Sequence, residues 1–214
     1  MRRYPVTIAL VLANVLAYAW EVATGTNFDS NRSLFEHGAL FGPAVTQQGE
    51  WWRVITGAFL HAGLPHIALN MIALWQLGMV VEILMGSWRM LAVYSIALLG
   101  GGYAVVYFAP NDVTVGASGA IFGLFGALLA IGVRMGQRGR ALISQVLPIL
   151  LLNLVFTFAI PFISKAGHVG GLLSGFFAGL VLFAMKPRAP EPVVVDTATG
   201  ERAEADLLPP EGVA

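Results

Sequence analysis

Ser118, His168, His66 and Asn70 are residues whose types could jointly carry out acyl transfer. A serine hydroxyl attacks a carbonyl only when a base takes its proton, and an imidazole, with an unperturbed pKa near neutrality, suits that task. Attack on an amide leaves an oxyanion that needs donors placed in advance. The Asn70 side-chain amide and one ring nitrogen of His66 are candidates, and their i, i+4 spacing puts them on one helix face. The backbone N–H of Ser118 is a third, because the first amides of a helix have no partner within it. Asp112 and Glu50 lie in connecting segments and nothing places either beside His168, so the expected unit is a Ser–His dyad. The hydrolase elbow Gly-x-Ser-x-Gly is also missing, since Ala120 stands two residues after Ser118.

These four residues are distant in sequence, and a membrane topology is what brings them together. The chain is 57% hydrophobic and 11% charged, with a mean hydropathy of +0.75, whereas a soluble domain carries about 25% charged residues. It has no cysteine, which excludes disulfides, thiolate metal sites and cysteine nucleophiles. A helix crosses the hydrocarbon core in about 20 apolar residues. Six segments qualify: residues 5–22, 65–85, 89–108, 118–133, 141–160 and 167–185. The predicted fold class is therefore an all-α membrane protein with a six-helix transmembrane bundle. The fourth segment is short and is expected to begin below the bilayer surface. Met1-Arg2-Arg3 before an apolar run resembles a signal peptide, but no clear small-x-small cleavage signal follows, so the first segment reads as an uncleaved span.

Basic residues set the orientation. With the N-terminus in the cytoplasm, eight Lys and Arg flank the spans inside and three outside, which predicts both termini in the cytoplasm of a plasma (inner) membrane. The second, fourth and sixth spans then run from outside to inside. His66 with Asn70, Ser118 and His168 open these three spans, so all four residues fall at similar depth near the outer face. Gly119, Gly123 and Gly126 in the fourth span, and Gly171, Gly175 and Gly179 in the sixth, form faces of small residues that allow close backbone approach. If those faces meet, the Ser118 hydroxyl and the His168 imidazole come within reach of one another.

The remaining polar residues of the spans carry structural expectations. Asn14 and Asn153 are expected to bond between helices, and Glu82 to pair with Arg89 or cap loop amides. About forty residues join the first two spans and include Phe28, Leu34, Phe41, Trp51, Trp52 and Phe59. Such a loop is expected to fold into short helices in the outer leaflet, with both tryptophans at headgroup depth. Residues 187–214 hold six of the twelve acids and five prolines. They read as a disordered cytoplasmic tail after a six-span core of residues 1–186.

Several short motifs occur in a fixed order. They are Trp52-Arg53, His61 with His66-x-x-x-Asn70, Gly116-Ala117-Ser118-Gly119, and Gly167-His168-Val169-Gly170-Gly171 with Gly175. As a set, over about residues 4–186, they resemble the rhomboid intramembrane serine proteases. The resemblance implies Ser118 as nucleophile, His168 as general base, and His66, Asn70 and the Ser118 amide as oxyanion donors, with Trp52-Arg53 in the amphipathic first loop. It implies hydrolysis of peptide bonds in or near transmembrane helices of single-span or other membrane proteins, with small residues such as Ala at the cleaved position. The implied partners are such substrates and the lipid bilayer; no cofactor, metal or nucleic acid is expected. Many bacterial members carry Tyr four residues after the nucleophile, stacked on the base. Phe122 stands there in this chain, which keeps the ring packing and loses the phenol hydrogen bond. Substrate is expected to reach the site between spans, with the fifth span and residues 161–167 as the moving parts.

Three other readings compete. A non-catalytic rhomboid-like protein would lack the Ser or the His, and both are present. A transporter would be expected to show an inverted repeat of broken helices, and none is visible. A metal held by His61, His66 and His168 would need orienting carboxylates, which are missing at that depth.

Overall fold

A computed structural model describes residues 4–184 of the chain. The described chain is helical, and its only strand-like pairing is one antiparallel bridge between Leu40 and Thr114. Six apolar helices build the bundle: α1 (Pro5–Ala23), α5 (Leu64–Met85), α6 (Ser87–Phe108), α7 (Ser118–Arg134), α8 (Arg140–Ala159) and α9 (Lys165–Ala184). Each expected span lies within two residues of an observed helix. Three short helices occupy the connection between α1 and α5: α2 (Asn31–Glu36), α3 (Gly42–Gln47) and α4 (Arg53–Thr56). The protein is an all-α integral membrane bundle. Five of its helices are long and apolar enough to cross a bilayer, and α7, at 17 residues, is shorter. The tail expected at residues 187–214 lies outside the described residues.

Helix α7 is the centre of the bundle. Every residue from Ala120 to Leu128 is buried, and α7 packs against α5, α6, α8 and α9. The glycine faces of α7 and α9 do meet. A Cβ on Gly171 would stand 2.0 Å from the Gly119 carbonyl oxygen, and one on Gly175 would stand 2.1 Å from the Gly123 oxygen. Only glycine permits backbones this close. On its other side α9 meets α6 in the same way, with Gly170 against Ala104 and Gly100.

Two polar clamps hold the periphery. The Glu82 carboxylate accepts from the amides of Val6 and Thr7, the Thr7 hydroxyl and the Ser87 hydroxyl at 2.7–3.1 Å. Glu82 thus caps the free amides at the start of α1, a different target from the loop amides anticipated. In the first loop the buried Arg53 binds the carbonyls of Phe35 and Ala39 and the Glu50 carboxylate. Its guanidinium lies 3.9 Å from the Phe35 ring centre and 4.6 Å from that of Trp52. This one side chain gathers α2, α4 and the intervening loop. Asn153 does not bond between helices as expected: it donates to Ile149 one turn back in α8. Asn14 likewise donates within its own helix, to Leu10 one turn back in α1.

Candidate active site

The packing of α9 on α7 puts Ser118 Oγ 2.8 Å from His168 Nε2. Ser118 is the first residue of α7, after Ala117 at the cap position, so its own amide has no acceptor within the helix. His168 enters α9 one turn after Ser164, whose hydroxyl caps the Gly167 amide. The imidazole is buried and held on two further sides. Phe122 stacks on it with ring centres 4.1 Å apart and planes 17° from parallel. Thr157, near the end of α8, brings its hydroxyl 2.8 Å from His168 Nδ1.

His66 reaches the same place from α5. Gly116, at φ +116°, lies directly beneath it: a Cβ there would sit 2.7–2.8 Å from the His66 ring and 3.8 Å from Ser118 Oγ. No other residue fits that backbone and that gap. The Ala62 amide donates to His66 Nδ1 at 3.2 Å. An N–H can donate only to an unprotonated nitrogen, so the His66 proton is on Nε2, the nitrogen beside Gly116. Asn70 is buried below, and one of its N–H groups donates to the His66 carbonyl at 2.9 Å. The second N–H of its amide remains for another acceptor.

His61 supports His66 without joining it at Ser118. It is fully buried, packs edge-on to His66 at 5.1 Å, and sets its Nδ1 3.1 Å from the Phe59 carbonyl. Burial first and the neighbouring His66 second push the His61 imidazole down to about 4, against the pull of the Phe59 carbonyl. Both ring nitrogens of His168 and Nδ1 of His66 already have protein partners. Among the described residues no three His, Asp or Glu side chains converge as a metal set.

Two residues that the sequence reading passed over belong to this region. Glu21, at the end of α1, is fully buried and accepts the His61 amide at 3.1 and 3.3 Å, so a carboxylate does lie at the depth where none was expected, though it binds a backbone amide and not a histidine ring. It anchors the turn that presents Ala62 to His66. Thr157 is the other. The signal for each was a polar residue near a span end at the depth of Ser118, although neither Thr nor Glu at such a place names its partner.

A cavity of about 40 Å³ opens beside Ser118 and His168, lined by small residues including Gly57, Gly101, Gly102 and Gly119. It has room for water. The geometry supports proton transfer from a hydroxyl to an imidazole, with an N–H donor from a second imidazole on the same side.

Comparison with known proteins bears on the whole arrangement. Residues 48–185 match the Rhomboid domain family. The chain is 43% identical over 140 residues to Rhomboid protease GluP of Bacillus subtilis, covering 65% of this chain and 27% of that protein. It is 34% identical over 163 residues to the mitochondrial RHOMBOID-like protein 6 of Arabidopsis thaliana, covering 75% and 52%. It is 32% identical over 146 residues to Inactive RHOMBOID-like protein 8 of the same plant, covering 66% and 41%. The chain spans from about a quarter to about half the length of these relatives. The family match covers α4 to α9, the helices that surround Ser118 and well over half of the chain, and on that ground the chain belongs to the rhomboid family.

Proposed function

We propose that this protein is an intramembrane serine endopeptidase working through a Ser118–His168 dyad. The observation that carries the reading is the 2.8 Å contact between Ser118 Oγ and His168 Nε2. In the proposed reaction Ser118 Oγ attacks a substrate carbonyl as its proton passes to His168 Nε2. The oxyanion that forms is held by the Nε2–H of His66, the free N–H of Asn70 and the backbone N–H of Ser118. The peptide bond breaks as His168 returns the proton to the leaving amine. Water, activated in turn by His168, then hydrolyses the acyl-enzyme.

The surroundings favour particular substrates. An amide inside an intact helix is shielded by its own hydrogen bonds, so substrates that unwind locally, with Gly or Pro near the cut, suit the site. The small glycine-lined cavity supports a small residue such as Ala at the cleaved position. The charge distribution supports cytoplasmic termini and a site that water reaches from the outer face, and we place the protein in a plasma (inner) membrane. A non-catalytic client-binding role is the competing reading, and the aligned Ser118–His168 pair speaks against it.

The test is cleavage of a single-span substrate in liposomes by wild type, Ser118→Ala and His168→Ala. Each substitution should lower turnover by roughly a thousandfold or more, and a fluorophosphonate should label Ser118 in the wild type only. Cleavage that persists in Ser118→Ala would sink the proposal.

A further inference from the structure

The Thr157 hydroxyl touches two groups, the Asn153 carbonyl at 2.7 Å and His168 Nδ1 at 2.8 Å. A hydroxyl has one proton to give, and a carbonyl oxygen can only accept. If that proton went to His168 Nδ1, the Thr157 and Asn153 oxygens would face each other at 2.7 Å with no hydrogen between them. Both contacts are bonds in only one arrangement: Thr157 donates to Asn153 and accepts from a protonated Nδ1. The neutral imidazole then has its free lone pair on Nε2, which faces Ser118 Oγ.

We infer that Thr157 is a positioning residue, holding His168 in the tautomer and orientation that a general base for Ser118 requires. It fills the place that a buried carboxylate takes in a Ser-His-Asp triad, but with a neutral acceptor. Thr157 is itself buried, so water does not readily replace its hydroxyl. Being neutral, it avoids the cost of an unpaired carboxylate within the bilayer. It lies on α8 whereas His168 lies on α9, so the assignment couples two helices that share few other contacts. The inference rests on the protease reading above and deepens it.

The experiment uses the full-length protein with 15N-labelled histidine in detergent micelles, with turnover measured in parallel in liposomes. In the wild type, the ring that disappears in His168→Ala should show a protonated Nδ1 and an unprotonated Nε2. Thr157→Val, which keeps the shape and removes the hydroxyl, should give a mixture of tautomers and lower kcat by about tenfold, the loss of one hydrogen bond, with KM unchanged. Thr157→Ser should restore both the spectrum and most of the turnover, which a purely structural role for the threonine methyl would not allow. A wild-type His168 protonated at Nε2, or a Thr157→Val enzyme with wild-type kcat and spectrum, would overturn the inference. The wild-type spectrum can still overturn the inference if Thr157→Val does not fold. Failure of the protease reading is distinct, because it appears as cleavage surviving Ser118→Ala while the nitrogen spectrum still reports the Thr157 contact.

Discussion

His168 is caged by three side chains, each acting on a different part of the ring. Ser118 meets Nε2, Thr157 meets Nδ1, and Phe122 covers a face. The Phe122 stack has no polar component, so its contribution is orientation: aromatic pairs of this kind contribute about 0.5–1.5 kcal/mol beyond burial. Replacing Phe122 by Leu should lower kcat about two- to tenfold with fluorophosphonate labelling slowed in proportion, and stopped-flow labelling of detergent-solubilised protein would measure this. Wild-type labelling rates would mean the ring is held without it. His61 supports a pH prediction. Its imidazole is held near 4 in the folded protein against an ordinary value of 6.5, so between those values the unfolded chain binds more protons. Stability should be full above pH 6.5 and fall as pH drops toward 4, by at most roughly 3 kcal/mol. Melting curves of wild type and His61→Gln across that range would test it, since the variant should lose this part of the slope. At this scale the sequence was legible where residue type restricts chemistry. Ser118, His168, His66 and Asn70 stood out because a membrane span rarely keeps such groups. Thr157 and Glu21 were not legible in the same way: a threonine can satisfy its hydroxyl on its own helix, and Glu21 acts through a backbone amide that has no sequence signature.

Helices α7 and α9 turn those residues into a site by approaching as closely as backbones can. The distance between Ser118 and His168 is set below them, at Gly119 against Gly171 and Gly123 against Gly175. A methyl on Gly171 would overlap the Gly119 carbonyl, which is backbone and has little freedom to yield. Gly171→Ala should therefore push α9 away from α7 beside the dyad, abolish fluorophosphonate labelling of Ser118, and cost about 1–3 kcal/mol in stability. Gly179→Ala provides the contrast. Its methyl would meet Ala127 at 2.8 Å, two turns beyond Gly171 along α9, so it should lower the melting temperature while labelling persists. Equal labelling in both variants would show that the glycine face does not set the dyad distance. The glycine periodicity made this contact readable from sequence, since spacing of four restricts small residues to one helix face. The partners of the charged residues were harder to read. Glu82 could be assigned a structural role, but its true target, the start of α1, lies 75 residues away and follows only from how α1 packs on α5.

Across the whole molecule, burial is uneven in a way that bears on how a membrane substrate would reach Ser118. The apolar window of α5 and that of α6 are each 39% buried within the protein, against 17% for the segment containing α8. Helix α8 leans on α7 and only lightly on α9, and Pro148 interrupts its backbone hydrogen bonding near the middle. Beyond that proline, Leu150 and Leu154 still pack into the core, and Thr157 adds the contact to His168. Being less enclosed than α5 or α6, α8 is the helix expected to move if substrate enters between spans. The positions and order of the apolar helices followed from hydropathy, whereas this difference in packing did not: the segment containing α8 is more apolar than α5, at a mean hydropathy of 2.1 against 1.8, yet it is the less buried of the two. If α8 is the moving part, tying it to α5 should exclude large substrates and spare small ones. The chain has no cysteine, so thiols introduced at Leu69 of α5 and Phe156 of α8, both exposed at the Ser118 end, would be the only ones present. Joining them with a bifunctional maleimide should stop cleavage of a single-span substrate in liposomes while leaving fluorophosphonate labelling of Ser118 within about twofold, because a small probe needs no helix to move. Unchanged turnover of the membrane substrate in the fully cross-linked protein would place the route elsewhere. Loss of labelling together with turnover would mean that the link distorts the dyad instead of closing a gate.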